Sequence, residues 1–95
     1  MKIVFDREAE RDLADQLDYL IARGAGAAGR RLEQRLLSFI DRMLANYPRS
    51  GTFTAHRDLW ETWVPRTRFI IWYLFTANEL QIVRVWHASQ DPHGS

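Results

Sequence analysis

Ninety-five residues with a net charge of +1 make one small domain, near the lower end of what a single core stabilises unaided. The absence of cysteine excludes disulfides, thiolate zinc sites and a thiol nucleophile, so the core must rest on large side chains: four Trp, five Phe and three Tyr. Met1–Asp6 is too short and too soon charged for a signal peptide, and no apolar run approaches the roughly 20 residues of a membrane span.

A soluble, cytoplasmic, single-domain protein over residues 1–95 is therefore expected. Its charge is unevenly placed. Twelve of the thirteen cations are arginine, whose planar fork of donors suits carboxylates, phosphates and aromatic faces. Acids crowd the segment from Asp6 to Asp18, whereas Arg57, Arg66, Arg68 and Arg84 dominate beyond Ser50. That asymmetry suits an anionic partner; a mixed solvated surface explains it equally well.

Lys2–Phe5 is a short β-prone run fit for an edge strand. Asp6 is placed to cap a following helix, with Glu8 and Glu10 complementing the helix dipole. Ala9, Leu13, Leu17, Leu20 and Ile21 follow a helical period with one buried stripe, and Gly24 ends it. A second helix begins within the Gly24–Gly29 connector and runs to about Asn46 on Leu32, Leu36, Phe39, Ile40, Met43 and Leu44, until Pro48 stops it. The short connector makes the two helices an αα-hairpin.

From Thr52 the period changes. Leu59–Val64 suits a strand interrupted by Pro65, and Arg68–Phe75 is the nearly continuous apolar run of a central strand. Thr76–Glu79 makes a hairpin loop into a last strand, Leu80–Trp86. The polar tail from Ala88, with Pro92, should leave the sheet. The expected order is β-α-α-β-β-β, an α+β fold with the helical hairpin on one face of an antiparallel sheet.

Strand alternation places Leu80, Ile82, Arg84 and Trp86 on one face, and Val83, Val85 and His87 on the other. Two helices cover only one face of such a sheet, leaving an apolar face rimmed by arginine for a partner. The candidate partner-binding residues are Arg57, Trp60, Arg66, Arg68, Trp72, Arg84 and Trp86. Arg66 and Arg68 share a face, with Arg84 placed across from them. Together they would bind phosphate or carboxylates bidentately, or each would form an ordinary surface pair with Glu61, Glu79 or the first helix. Histidine is the one side chain that, unperturbed, changes charge near neutrality, which makes His87 a candidate, yet alternation sets it opposite Arg84; a structural histidine at a strand end is the competing reading. Scattered histidines, unmotifed serines and the lack of a phosphate-binding glycine loop argue against a metal, a serine nucleophile and a nucleotide cofactor.

Three segments carry a resemblance over nearly the whole chain: Asp6-Arg-Glu-Ala-Glu-Arg-Asp-Leu13, Arg68-Phe-Ile-Ile-Trp-Tyr73, and Ile82-Val-Arg-Val-Trp-His-Ala-Ser-Gln-Asp-Pro92. In this order and spacing they resemble the RelE/ParE superfamily of toxins from type II toxin–antitoxin systems. The resemblance implies a growth-inhibiting toxin without a cofactor. A cognate antitoxin would wrap it, and it would reach operator DNA only through that antitoxin. RelE-like members cleave mRNA on the ribosome, a role for which Arg66, Arg68, Tyr73, Arg84 and His87 would be the catalytic set. ParE-like members inhibit DNA gyrase. The lack of lysine beyond Lys2, and of a basic residue just after His87, places this chain nearer the ParE-like branch. A non-toxic interaction module is the third reading.

Overall fold

Gly24 fixes where the first helix ends. In the computed structural model, which describes residues 1–90, Gly24 takes the left-handed conformation (φ 75°). Its N–H donates to the Ile21 carbonyl, and that of Ala25 to the Leu20 carbonyl, a Schellman closure. The chain thus turns directly from α1 (Arg7–Ala22) into α2 (Gly26–Phe39), the expected helical hairpin. Asp6 precedes α1, but its carboxylate makes no capping bond; Oδ1 instead accepts from Gln81 Nε2 at 2.8 Å. Past Phe39 the helical path widens into a π turn over Ile40–Leu44, with the Ala45 N–H donating to the Ile40 carbonyl at 2.9 Å. That turn keeps Ile40 and Leu44 buried in line with Leu36, while Met43 is left exposed.

The sheet has five strands: β1 (Lys2–Phe5), β2 (Thr52–Thr54), β3 (Leu59–Trp63), β4 (Phe69–Phe75) and β5 (Glu79–His87), in the order β1-β5-β4-β3-β2. The α+β class and the helix-covered sheet are as the sequence implies. Two features differ from the expected antiparallel β-α-α-β-β-β arrangement. The short β2 adds an edge strand, and β1 runs parallel to β5, so the sheet is mixed.

The β4–β5 register slips between Trp72 and Tyr73, which pair with Arg84 and Ile82, so Val83 is an extra residue in a β-bulge. The bulge corrects the strand faces. Leu80 and Ile82 share the helix-covered face with Val85 and His87, whereas Arg84 and Trp86 lie on the opposite face. Ala9, Leu36, Ile40 and Leu44 pack there against Phe69, Ile71, Tyr73, Leu80, Ile82 and Val85 to form the core. No helix among the described residues is long and apolar enough to cross a membrane. Asp91–Ser95, including Pro92 and His93, lie outside the described residues.

Tyr73 anchors the turn that follows the helices. Its ring is fully buried, and its hydroxyl donates to the Pro48 carbonyl (2.7 Å) and accepts the Gly51 N–H (3.2 Å). The approach is so close that a Cβ at Gly51 would run into the hydroxyl and lie 2.6 Å from the Glu61 carbonyl. Gly51→Ala should therefore cost about 1–3 kcal/mol in urea denaturation. Tyr73→Phe should cost a similar ~1–3 kcal/mol, because the part-buried partners of the hydroxyl are orphaned. Burial raises the phenol above its ordinary value of 10.0, so the fold favours the neutral ring. The unfolded chain gives up this proton first, and stability should fall as pH rises above 10.0 towards the folded value. Denaturation midpoints across alkaline pH should show this loss in the wild type and a shallower one in Tyr73→Phe.

Candidate functional site

Two groups of arginines stand out, and they differ in what holds them. The first lies on the sheet face opposite the helices. β1 pairs with β5 only as far as Ile82, leaving the outer edge of β5 uncovered beyond that point. Asp12, one turn into α1, fills the gap: Oδ2 accepts the Val85 N–H at 2.9 Å and Arg84 Nε at 2.8 Å, while Oδ1 accepts Arg84 Nη2 at 2.9 Å. Glu8 adds a longer contact of 3.5 Å. Hydrogen bonding to Asp12 raises the Arg84 pKa further above its ordinary value, outweighing the opposing effect of burial.

So fixed, the Arg84 guanidinium lies 3.9 Å over the Trp86 ring. Trp86 meets Trp72 edge-on at 5.2 Å, and Arg57 covers Trp72 from the other side at 4.8 Å. Trp72 Nε1 donates to Glu61 at 2.8 Å, whereas Trp86 Nε1 is buried with no partner among the described residues. The result is a file, Arg57–Trp72–Trp86–Arg84, across the uncovered face. Trp63, 54% exposed, sits on the same face opposite Ile70. Trp60 is on the other side, packed with Phe53, Tyr73 and Phe75.

The second group lines a cleft of ≈ 360 Å³ at the other end of the sheet: Arg31 and Arg35 from α2, Arg66 and Arg68 from the β3–β4 turn, and His87. Arg31 and Arg35 are four apart, so both project from one side of α2. Among the described residues no carboxylate pairs with any of these four arginines. The His87 ring packs edge-on against Phe69 at 5.2 Å, and its Nδ1 meets the Ser89 hydroxyl at 2.6 Å and the Ser89 N–H at 3.1 Å.

This corrects the expected grouping. Arg66 and Arg68 gather with His87, and Arg84, tied to Asp12, lies apart from them. Tyr73 is remote from both groups as a chemical participant, since its hydroxyl is committed to Pro48 and Gly51. Among the described residues, no three of His, Asp or Glu gather as metal ligands would. Arg31 and Arg35 carried no signal alone, because their importance comes from the turn folded against them.

Residues 3–92 match the family model of the ParE toxin of the type II toxin–antitoxin system, parDE. The chain belongs to the ParE toxin family. Its fold is similar to a solved chromosomal ParDE toxin–antitoxin structure from P. aeruginosa, with a TM-score of 0.79 at 17% identity over 92% of this chain and 95% of that one. No curated protein sequence matches it. In this ParE-family chain the helical hairpin and the mixed sheet are common fold, and the two arginine groups are the features to be read for function.

The Asp12 bonds make a specific prediction. Asp12→Ala leaves the Arg84 guanidinium with one long contact and the Val85 N–H bare, and should cost about 2–4 kcal/mol. Asp12→Asn keeps an acceptor for Val85 and removes the charge, so it should recover about half of that loss in the same denaturant titration. Equal losses for the two variants would mean that the ion pair alone carries the stability.

Proposed function

We propose that this chain is the toxin of a toxin–antitoxin pair, acting by binding and inhibiting DNA gyrase and held inactive by a cognate antitoxin. The observation carrying the choice of binding over RNA cleavage is the dispersal of the five residues a nuclease of this fold would draw on. Tyr73 is buried with both hydroxyl bonds satisfied, and Arg84 is locked by Asp12 away from Arg66, Arg68 and His87. A general base, a proton donor and phosphate-binding cations must sit within hydrogen-bond reach of one reacting phosphate. Membership of the ParE family supports gyrase as the target.

The antitoxin contact is assigned to the uncovered sheet face. Trp63 and the Arg57–Trp72–Trp86–Arg84 file offer aromatic and guanidinium anchors of the kind that dominate protein interfaces. The gathering of His87 with Arg66 and Arg68 is what favours the ribonuclease alternative.

Parallel assays decide between them. The purified chain should stop gyrase supercoiling in vitro, added antitoxin should restore it, and mRNA in a translating extract should stay intact. Cleavage of mRNA abolished by His87→Ala, with supercoiling unaffected, would establish the ribonuclease instead. Trp63→Ala should weaken the antitoxin complex by about tenfold or more, read by titration calorimetry.

A further inference from the structure

The arginines gathered in the second cleft make no ion pair among the described residues, and one of them is held there at a conformational cost. Pro65 and Arg66 are the central residues of a β-turn closed by the Thr67 N–H donating to the Val64 carbonyl at 3.2 Å. The Thr67 hydroxyl donates to the same carbonyl at 2.8 Å and accepts the Phe69 N–H at 3.1 Å, so the turn is tightly built. Arg66 has φ 63°. After a proline at the second position, a positive φ at the third belongs to a type II turn, where glycine is the comfortable residue. A long branched cation in that place strains the backbone, and strain of this kind points to a side chain wanted for what it does.

Its surroundings indicate what that is. Arg31, Arg35, Arg66 and Arg68 are all exposed, and none has a carboxylate partner among the described residues. The apolar side chains of the cleft itself, Leu32 and Phe69, are half-buried and buried, so within it no exposed hydrophobic anchor is offered to a peptide. The basic lining also continues. A neighbouring hollow shares Arg31 and Arg35 and extends along α2 past Ser38 into the π turn at Arg42, with exposed Met43 at its far end. From Arg31 to Arg42 the helical path is about 16 Å, long enough to follow several repeats of a charged backbone.

We propose that this cleft and its extension along α2 bind the phosphodiester backbone of a nucleic acid, independently of base sequence. The guanidinium forks grip phosphate oxygens bidentately, and the His87 ring stands at the end of the track. The site is separate from the sheet face assigned to the antitoxin and needs no gyrase to be observed. Failure of the gyrase reading and failure of this one are therefore distinguishable.

Fluorescence anisotropy with the purified chain tests it, using labelled single-stranded DNA, duplex DNA and RNA of one sequence. Binding should be present at about 50 mM salt, insensitive to base sequence, and weaken on a log–log salt plot with a slope of roughly −3 for four contacts on a single strand. Comparing the three probes identifies which nucleic acid the track follows. Arg66→Gly is the diagnostic variant, because it relieves the turn. Its melting temperature should be unchanged or raised, while affinity falls about three- to tenfold and the slope flattens by about one. Arg35→Gln should do the same from the helix side. Arg23→Gln makes the same charge change outside the cleft and should alter neither affinity nor slope. Absence of binding to all three probes at low salt would overturn the proposal, as would equal weakening by Arg23→Gln. Preferential capture of a polyglutamate peptide over every oligonucleotide would assign the cleft to an acidic protein partner and overturn it too.

Discussion

Where β1 stops pairing, the remaining length of β5 would present an unpaired N–H at the sheet edge, and the carboxylate of Asp12 takes its place. One side chain on α1 thus acts as a surrogate strand for Val85 and as the anchor for Arg84. An exposed edge is a template for unwanted pairing, and a short helix laid beside it with one well-aimed acceptor closes it. The same bonds tie the first helix to the last strand, which gives the sequence-distant ends of the chain a common hinge point. They also aim the guanidinium at Trp86, whose Nε1 is buried with no partner among the described residues. The uncovered sheet face therefore owes its arrangement to an interaction made at the edge.

The bulge at Val83 works with this device. An extra residue in β5 changes which side chains face the helices from that point on, and so separates the buried run of Leu80 and Ile82 from Arg84 and Trp86. Without it, Arg84 would fall on the helix-covered face, where an ion pair would have to be desolvated within an apolar core. A local irregularity in the ladder thus lets one strand serve the core in its first half and a polar edge contact in its second.

The helical hairpin was legible because its signals are local: an apolar stripe at helical period, Gly24 and Pro48. The central strands were legible from their apolar density. The pairing of β1 with β5 was not, since four residues carry no mark of strand direction or of a partner at the far end of the chain. Nor was the bulge, because Ile82, Val83 and Val85 are interchangeable in hydrophobicity and sit equally well on either face. Trp60 and Trp63 illustrate the same ambiguity: both are large and aromatic, and only the register with β4 shows that one packs inward and the other stands exposed. His87 and Arg84 were correctly placed on opposite faces because the irregularity lies upstream of both. Their arginine neighbours were misassigned because Arg66 and Arg68 belong to a turn, where alternation does not apply.

That misassignment points to a distinction a composition count conceals. Arginine excess was the earliest functional signal in this chain, yet its members do different work. Arg84 is consumed by the fold: its charge is met by Asp12 and Glu8, and its plane is covered by Trp86. Arg31, Arg35, Arg66 and Arg68 make no such contact among the described residues, and at Arg66 the backbone takes a positive φ of 63°. Unmatched cations gathered from a helix and a turn repel one another, and that repulsion is relieved when an anion enters between them. The fold thus leaves this end of the molecule less favourable when free than when occupied, which is the energetic condition for a binding site.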